Sequence, residues 1–141
     1  MATLLLKADP GEYSFDDLAR DKVARWDGIT NAQALNFLRA ARKGDEALIY
    51  HTGDEKAIVG LASLASDPYP DPDDRALNAR GEPKFVVADL AAVRRARSPV
   101  TLATIKADPR FEDFLLVTNS RLSIMAVPAA LDRVLRAMAG L

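Results

Sequence analysis

The chain contains no cysteine, which removes disulfides, thiolate nucleophiles and thiolate-based zinc sites from consideration. Its one histidine is too few for an imidazole-rich transition-metal centre. No run approaches the roughly 20 apolar residues of a membrane-spanning helix. The apolar start, Thr3-Leu4-Leu5-Leu6, is short and lacks the basic lead of a secretory signal, so the expectation is a soluble, cytoplasmic protein with no membrane partner. Charge of one sign is also missing: 19 basic residues face 20 acidic ones, for a net charge of −1. That excludes a polyanion binder working by bulk charge and requires any nucleic-acid role to come from a local site. The phosphate-cradling P-loop, GxGxxG, GxSxG and HExxH patterns are all absent. A triad can be drawn from His51, an Asp and Ser123, but nothing in their spacing ties them together, and a triad is defined by geometry. No catalytic residue, cofactor or metal ligand is assigned.

What remains is an ordinary globular composition, 49% hydrophobic and 28% charged in 141 residues, which suits a single domain over 1–141. Thr3-Leu4-Leu5-Leu6 reads as a buried strand, with Lys7 at its end and a turn at Pro10-Gly11. Lys7 there is either a solvated lysine or a pocket group. Ser14 is an N-cap with Asp16 and Asp17 in the first turn of a short helix. Residues 46–52 and 56–64 form a hairpin around Gly53-Asp54-Glu55, and Gly60 marks a bulge or a close backbone approach. Tyr50 and His51 point to opposite faces of their strand, so only one would face a given pocket. His51 itself suits a surface, a core or a ligand-contacting role.

Residues 66–83 include Asp67-Pro68-Tyr69-Pro70-Asp71-Pro72-Asp73-Asp74 and read as an exposed Pro/Asp-rich excursion. A long strand over 84–93 should end at Arg94, Arg95 and Arg97 and at Ser98-Pro99. The arginines suit a solvated strand end or a phosphate contact. A short helix over 101–106 is followed by an ambiguous stretch at 112–117, a turn at 119–121 and a last strand over 122–127. Pro128 stands at N1 of a final helix with Leu131, Val134, Leu135 and Met138 on one face. The order of elements favours an α+β domain around a small, mixed or mostly antiparallel sheet or barrel.

The central stretch is Trp26-Asp27-Gly28-Ile29-Thr30-Asn31. Asp27-Gly28 is a turn signal, and Asn31 caps a helix over 32–43 whose apolar positions are Ala34, Phe37, Leu38 and Ala41. Gly44 is placed to stop it. The only Trp therefore sits in a loop before a helix N-terminus, either as core filler or as the aromatic plate of a small-ligand pocket.

The stretch Leu5-Leu6-Lys7-Ala8-Asp9-Pro10-Gly11-Glu12-Tyr13-Ser14-Phe15-Asp16-Asp17-Leu18 resembles the LLKSEPDEYSIDDL opening of EVE-domain proteins. Trp26-Asp27-Gly28-Ile29-Thr30-Asn31-Ala32-Gln33-Ala34 is similar to their WDGVRNYQA, with a matching Asn36-Phe37-Leu38-Arg39 behind it. Gly44-Asp45, Tyr50-His51, Ile58-Val59-Gly60, Tyr69-Pro70-Asp71-Pro72 and Arg121-Leu122-Ser123 continue the likeness in order along nearly the whole chain. The resemblance implies a PUA-like α+β pseudo-barrel with flanking helices, related to the YTH readers of methylated adenine. It also implies a non-catalytic reader that flips a modified base out of nucleic acid, foremost a 5-modified cytosine in DNA. RNA is the alternative polymer, and a nucleotide or small-molecule sensor the alternative class. Carried over, the base pocket gathers Lys7, Ala8, Trp26, Thr30, Asn31, Tyr50 or His51, Arg121, Leu122 and Ser123, with Trp26 stacking on the base and Lys7 or Arg121 holding a phosphate. Where the family has Ser, Glu, Arg and Tyr, this chain has Ala8, Asp9, Thr30 and Ala32.

Overall fold

The computed structural model describes residues 2–141. Its centre is β1 (Thr3–Ala8), the apolar run expected to be a buried strand, with Leu5 and Leu6 fully inaccessible. β1 pairs in parallel with β3 (Glu46–His51), and β3 runs antiparallel to β4 (Ala57–Leu64), giving the expected hairpin. β4 then pairs antiparallel with β6 (Val86–Thr101), and β6 with β2 (Val23–Trp26). On the other side of β1 lies β7 (Ile124–Ala126), while the two-residue β5 (Tyr69–Pro70) pairs with the start of β6. The sheet order is β2-β6-β4-β3-β1-β7. One parallel pair among antiparallel ones makes the sheet mixed, and it does not close. Instead α2 (Ala32–Ala40) packs against both β7 and β6, and its apolar face of Ala34, Leu35 and Leu38 is removed from water there. The result is the expected α+β, pseudo-barrel-like fold. No helix among the described residues is long and apolar enough to cross a membrane.

Local chemistry explains the remaining helices. α1 (Phe15–Asp21) begins with a capping box: Asp17 N–H donates to Ser14 Oγ at 3.1 Å, and Ser14 N–H to Asp17 Oδ2 at 2.9 Å. Such reciprocal bonds satisfy donors that a helix end leaves free. Asn31 caps α2 as expected, accepting from Ala34 N–H at 3.0 Å. α3 (Leu102–Ala107) is capped by Thr101. The ambiguous stretch becomes a 3-10 turn (Pro109–Phe111) followed by α4 (Leu115–Thr118). α5 (Ala129–Ala139) is stapled to the sheet through Arg136, which donates to Asp132 at 2.9 Å and to Glu46 and Thr3 at 3.0 Å each.

Several boundaries differ from expectation. Trp26 is not in a loop but ends a strand, β2, which its short mixed sequence Val23-Ala24-Arg25-Trp26 did not announce. β6 does not stop at the arginines: it continues through Ser98 and Pro99 to Thr101. Its register with β4 jumps between Arg95↔Gly60 and Val100↔Ile58, so residues 96–99 stand against the single residue Val59. Within such a bulge a proline forfeits no ladder hydrogen bond. α2 stops at Ala40, since Ala41 is extended and the half-turn beyond it is held by buried Asp45, whose Oδ2 accepts from Arg42 N–H at 2.9 Å. Pro128 is the cap of α5 rather than its first residue, and β7 is three residues long rather than six. The 66–83 excursion is largely exposed, yet it contributes β5 and is tied back by Tyr69 O–H donating to Asp89 at 2.7 Å.

Gly60 satisfies both readings of its position. It lies at a register shift of β4, and a Cβ built there would stand 2.6 Å from the Phe15 ring. Gly60→Ala must therefore displace Phe15 and with it the start of α1. Overpacking of this kind costs about 1–3 kcal/mol, and urea unfolding of the variant should show that loss with an unchanged m-value.

Candidate nucleic-acid interface

A cleft of about 320 Å³ opens where β1 ends, within the lower part of the roughly 300–1,000 Å³ range of small-ligand sites. One wall is Lys7, Ala8 and Asp9 from the end of β1, with Glu12 and Tyr13 from the turn that follows. The other wall is residues 24–27 of β2 and its turn, with Ile29 beyond.

The first wall is shaped by a tight turn. Asp9 Oδ1 accepts from Gly11 N–H at 2.9 Å, and Asp9 O accepts from Tyr13 N–H at 2.8 Å. Tyr13 then reaches α1, donating its O–H to Asp21 Oδ2 at 2.8 Å. Held in this way, its ring meets Trp26 at 73° with centroids 6.1 Å apart, the edge-to-face arrangement that aromatic quadrupoles favour. Trp26 is thus braced from one side and half-buried. Burial, followed by the Asp21 carboxylate, pushes the Tyr13 phenol up to about 12.

Lys7 is half-buried at the cleft's inner end. Its Nζ donates to Ser120 O at 3.0 Å and lies 5.9 Å from the centroid of the Tyr50 ring. Burial holds its ammonium below the ordinary lysine range. Its backbone N–H donates to Ser123 O at 2.9 Å, which brings the 120–123 turn alongside β1. Arg25 is the second cation bordering the cleft, paired with Asp27 and Asp73, and the lining also includes Asp9 and Glu12.

Of the residues expected in a pocket, the structure brings Lys7, Ala8 and Trp26 into one lining. Tyr50 is 3% exposed and stands behind Lys7, outside that lining. His51 points elsewhere. Its Nε2 accepts from Phe15 N–H at 3.0 Å and its Nδ1 lies 2.6 Å from Glu55 Oε1, so both ring nitrogens are engaged under α1. Asn31 spends its Oδ1 on the cap of α2, and Thr30 is exposed beside it. Arg121 is exposed, Leu122 is core at 1% exposure, and Ser123 takes part through its carbonyl. Tyr13, Glu12, Arg25 and Asp27 were not among the residues expected in the pocket. The available signal for Tyr13 was its place in the turn leaving a strand end that already carried two pocket residues.

This arrangement offers a flat aromatic wall, one half-buried ammonium and carboxylate acceptors. Such a set suits a planar, polar, hydrogen-bonding ring. Among the described residues no three or more His, Asp or Glu side chains converge to hold a metal ion.

Mixed sheet, plugging helix and an aromatic-walled cleft together define an α+β, pseudo-barrel-like protein. The chain belongs to the EVE domain family, whose model matches residues 2–138. It is similar to Rpa0253 from Rhodopseudomonas palustris, with a TM-score of 0.89 and 37% identity over 99% of this chain and 94% of that one. It is also similar to the human THYN1 protein in a structure that contains 5-methylcytosine DNA, with a TM-score of 0.86 and 29% identity over 98% of both chains. Against the full sequence of human thymocyte nuclear protein 1 the identity is 31% over 132 residues, covering 80% of this chain. The match spans 59% of that relative's length.

The Tyr13 geometry predicts an alkaline limb. The folded-state value of about 12 lies above the ordinary 10.0, so the phenol's contribution to stability is complete below pH 10 and is lost as the pH rises through about 12. Ultraviolet titration should show Tyr13 ionising late, and Tyr13→Phe should remove one late-ionising phenol and flatten the loss of stability over that window.

Proposed function

We propose that this chain is a non-catalytic reader that accepts one extruded, modified base, foremost a 5-modified cytosine in DNA, in the cleft between the end of β1 and β2. The observation that carries the reading is Trp26, braced edge-to-face by Tyr13, across the cleft from Lys7 and Ala8 at the end of β1. The likeness to a protein solved with 5-methylcytosine-containing DNA supports it.

The physical roles follow from position. The base stacks on the open face of Trp26, an interaction worth about 1–3 kcal/mol per base. Lys7 keeps donors beyond the one given to Ser120, since an ammonium has three. These serve the base's carbonyl or ring-nitrogen acceptors. A carboxylate of the cleft accepts from an exocyclic amino group, as acidic side chains do from cytosine N4. With a net charge of −1 the domain has little sequence-indifferent affinity, so recognition rests on this one site.

A titration of matched single- and double-stranded oligonucleotides carrying plain, methylated or hydroxymethylated cytosine tests the reading. Tighter binding of a modified base is expected, with Trp26→Ala weakening it about 5- to 150-fold while its thermal transition shows the fold retained. Equal, feeble binding to every DNA oligonucleotide would overturn the DNA reading, and modified RNA and free nucleosides in the same assay separate the remaining classes.

A further inference from the structure

Arg25 is placed to meet a phosphate but is already held by carboxylates. It sits in β2, which ends the sheet order and leaves one edge unpaired. Strand alternation points Trp26 and Arg25 to opposite faces of β2, in keeping with their half-buried and exposed states, so that Arg25 borders the cleft at its rim. A base stacked on Trp26 therefore carries its sugar and phosphate outward over that free edge toward Arg25. The Lys7 ammonium is unsuited to this task, being half-buried and bound to the Ser120 carbonyl. The Arg25 guanidinium has the fork that matches a phosphate's oxygens. At present Nε faces Asp27 at 3.3 Å and Nη2 donates to Asp73 at 2.6 Å. Asp73 reaches back from the acidic excursion, 73% exposed, with the segment's base anchored independently by β5 and by Tyr69 on Asp89.

Resting on the reader reading above, we propose that Arg25 is the backbone-phosphate contact of this cleft and that Asp73 occupies it as an internal competitor, so that nucleic acid must displace the acidic strap to engage fully. The two carboxylates hold Arg25 above its already high ordinary value, so the guanidinium is charged throughout and the competition is between anions. Because Asp73 is 73% exposed and Arg25 36% exposed, the pair is a surface ion pair and its displacement is inexpensive. The strap thereby subtracts a similar affinity from every nucleic acid that engages Arg25, whatever its modification, and none from a free nucleoside, which has no phosphate to place there.

The test uses wild type, Asp73→Asn, Arg25→Gln, the double variant and Glu82→Gln. The last removes the same charge from an exposed residue of the excursion whose side chain does not touch Arg25. Each is titrated at several salt concentrations with a 5-methylcytosine oligonucleotide, its unmodified twin and free 5-methyldeoxycytidine. Asp73→Asn should tighten both oligonucleotides about three- to tenfold at low salt, steepen the salt dependence by about one counterion and leave nucleoside binding unchanged. Arg25→Gln should weaken the oligonucleotides and abolish the gain in the double variant, and Glu82→Gln should do neither. No gain in Asp73→Asn, an equal gain in Glu82→Gln, or a gain that survives Arg25→Gln would overturn the inference while leaving the reader reading intact. A wild-type protein blind to the modification overturns the reader reading itself.

Discussion

The seat of Phe15 is the constraint from which the cleft is built. Its ring lies against the bare Cα of Gly60, where no side chain would fit. Its backbone N–H, one of the donors a helix start leaves free, is taken by His51 Nε2 at 3.0 Å. Arg95 covers the outer face of the ring, its guanidinium 5.6 Å from the centroid, and pairs with Asp16. These contacts fix where α1 begins and how it lies on the sheet. Asp21, at the far end of α1, holds the Tyr13 hydroxyl, and Tyr13 braces Trp26. An imidazole at the end of β3 and a glycine in β4 thus set the angle of an aromatic wall that neither of them touches. Leaving that buried N–H without an acceptor would cost about 1–3 kcal/mol, so the arrangement is held firmly although the helix has only seven residues.

The open sheet matters as much as the helix. A closed barrel would leave no free edge beside its mouth, whereas here α2 fills the gap between β7 and β6 and β2 keeps one side unpaired. The single parallel pair brings the ends of β1 and β3 together, so that Lys7 lies opposite Tyr50 and Ala8 opposite His51. One member of each pair faces the cleft and the other supports it. Charge follows the same economy. Arg25 is matched by the Asp27 and Asp73 carboxylates, and the Lys7 ammonium is held by a backbone carbonyl rather than by an ion pair. A site built in this way acts over short distances, through shape and hydrogen bonds, as a molecule with almost no net charge requires.

Much of this was legible in the chain because it is locally encoded. The Ser14 and Asn31 caps, the hairpin around Gly53, the special place of Gly60 and the apolar run of β1 each rest on a few neighbouring residues. What could not be read was decided at a distance. β2 is a strand because β6 pairs with it, and four residues of mixed character carry no period of their own. β6 outruns its proline because a bulge in β6 itself, opposite Val59, absorbs it, and that register is set by the pairing with β4. α2 ends early because Asp45 claims the Arg42 N–H. His51 illustrates the limit well: its residue type allowed surface, core and ligand roles, and only the approach of α1 selected the second. Tyr13 went unnoticed for the converse reason, since its importance lies in a contact with Trp26 that no spacing reveals.

The departures from the family pattern now fall into two groups. Thr30 and Ala32 are exposed and lie outside the cleft lining, so the guanidinium and aromatic ring missing there thin the surroundings of the site and leave its walls in place. Ala8 and Asp9 are different, because both line the cleft at the end of β1. A hydroxyl absent at Ala8 removes a donor and an acceptor from a 7% exposed position, where one hydrogen bond is worth about 0.5–1.5 kcal/mol net. The shorter side chain of Asp9 is drawn into its own turn by the Gly11 N–H. On the proposed reading, any divergence in the ligand this chain prefers should therefore originate beside Ala8 and Asp9, where a base would present its hydrogen-bonding edge, rather than at the aromatic wall, where any base could stack.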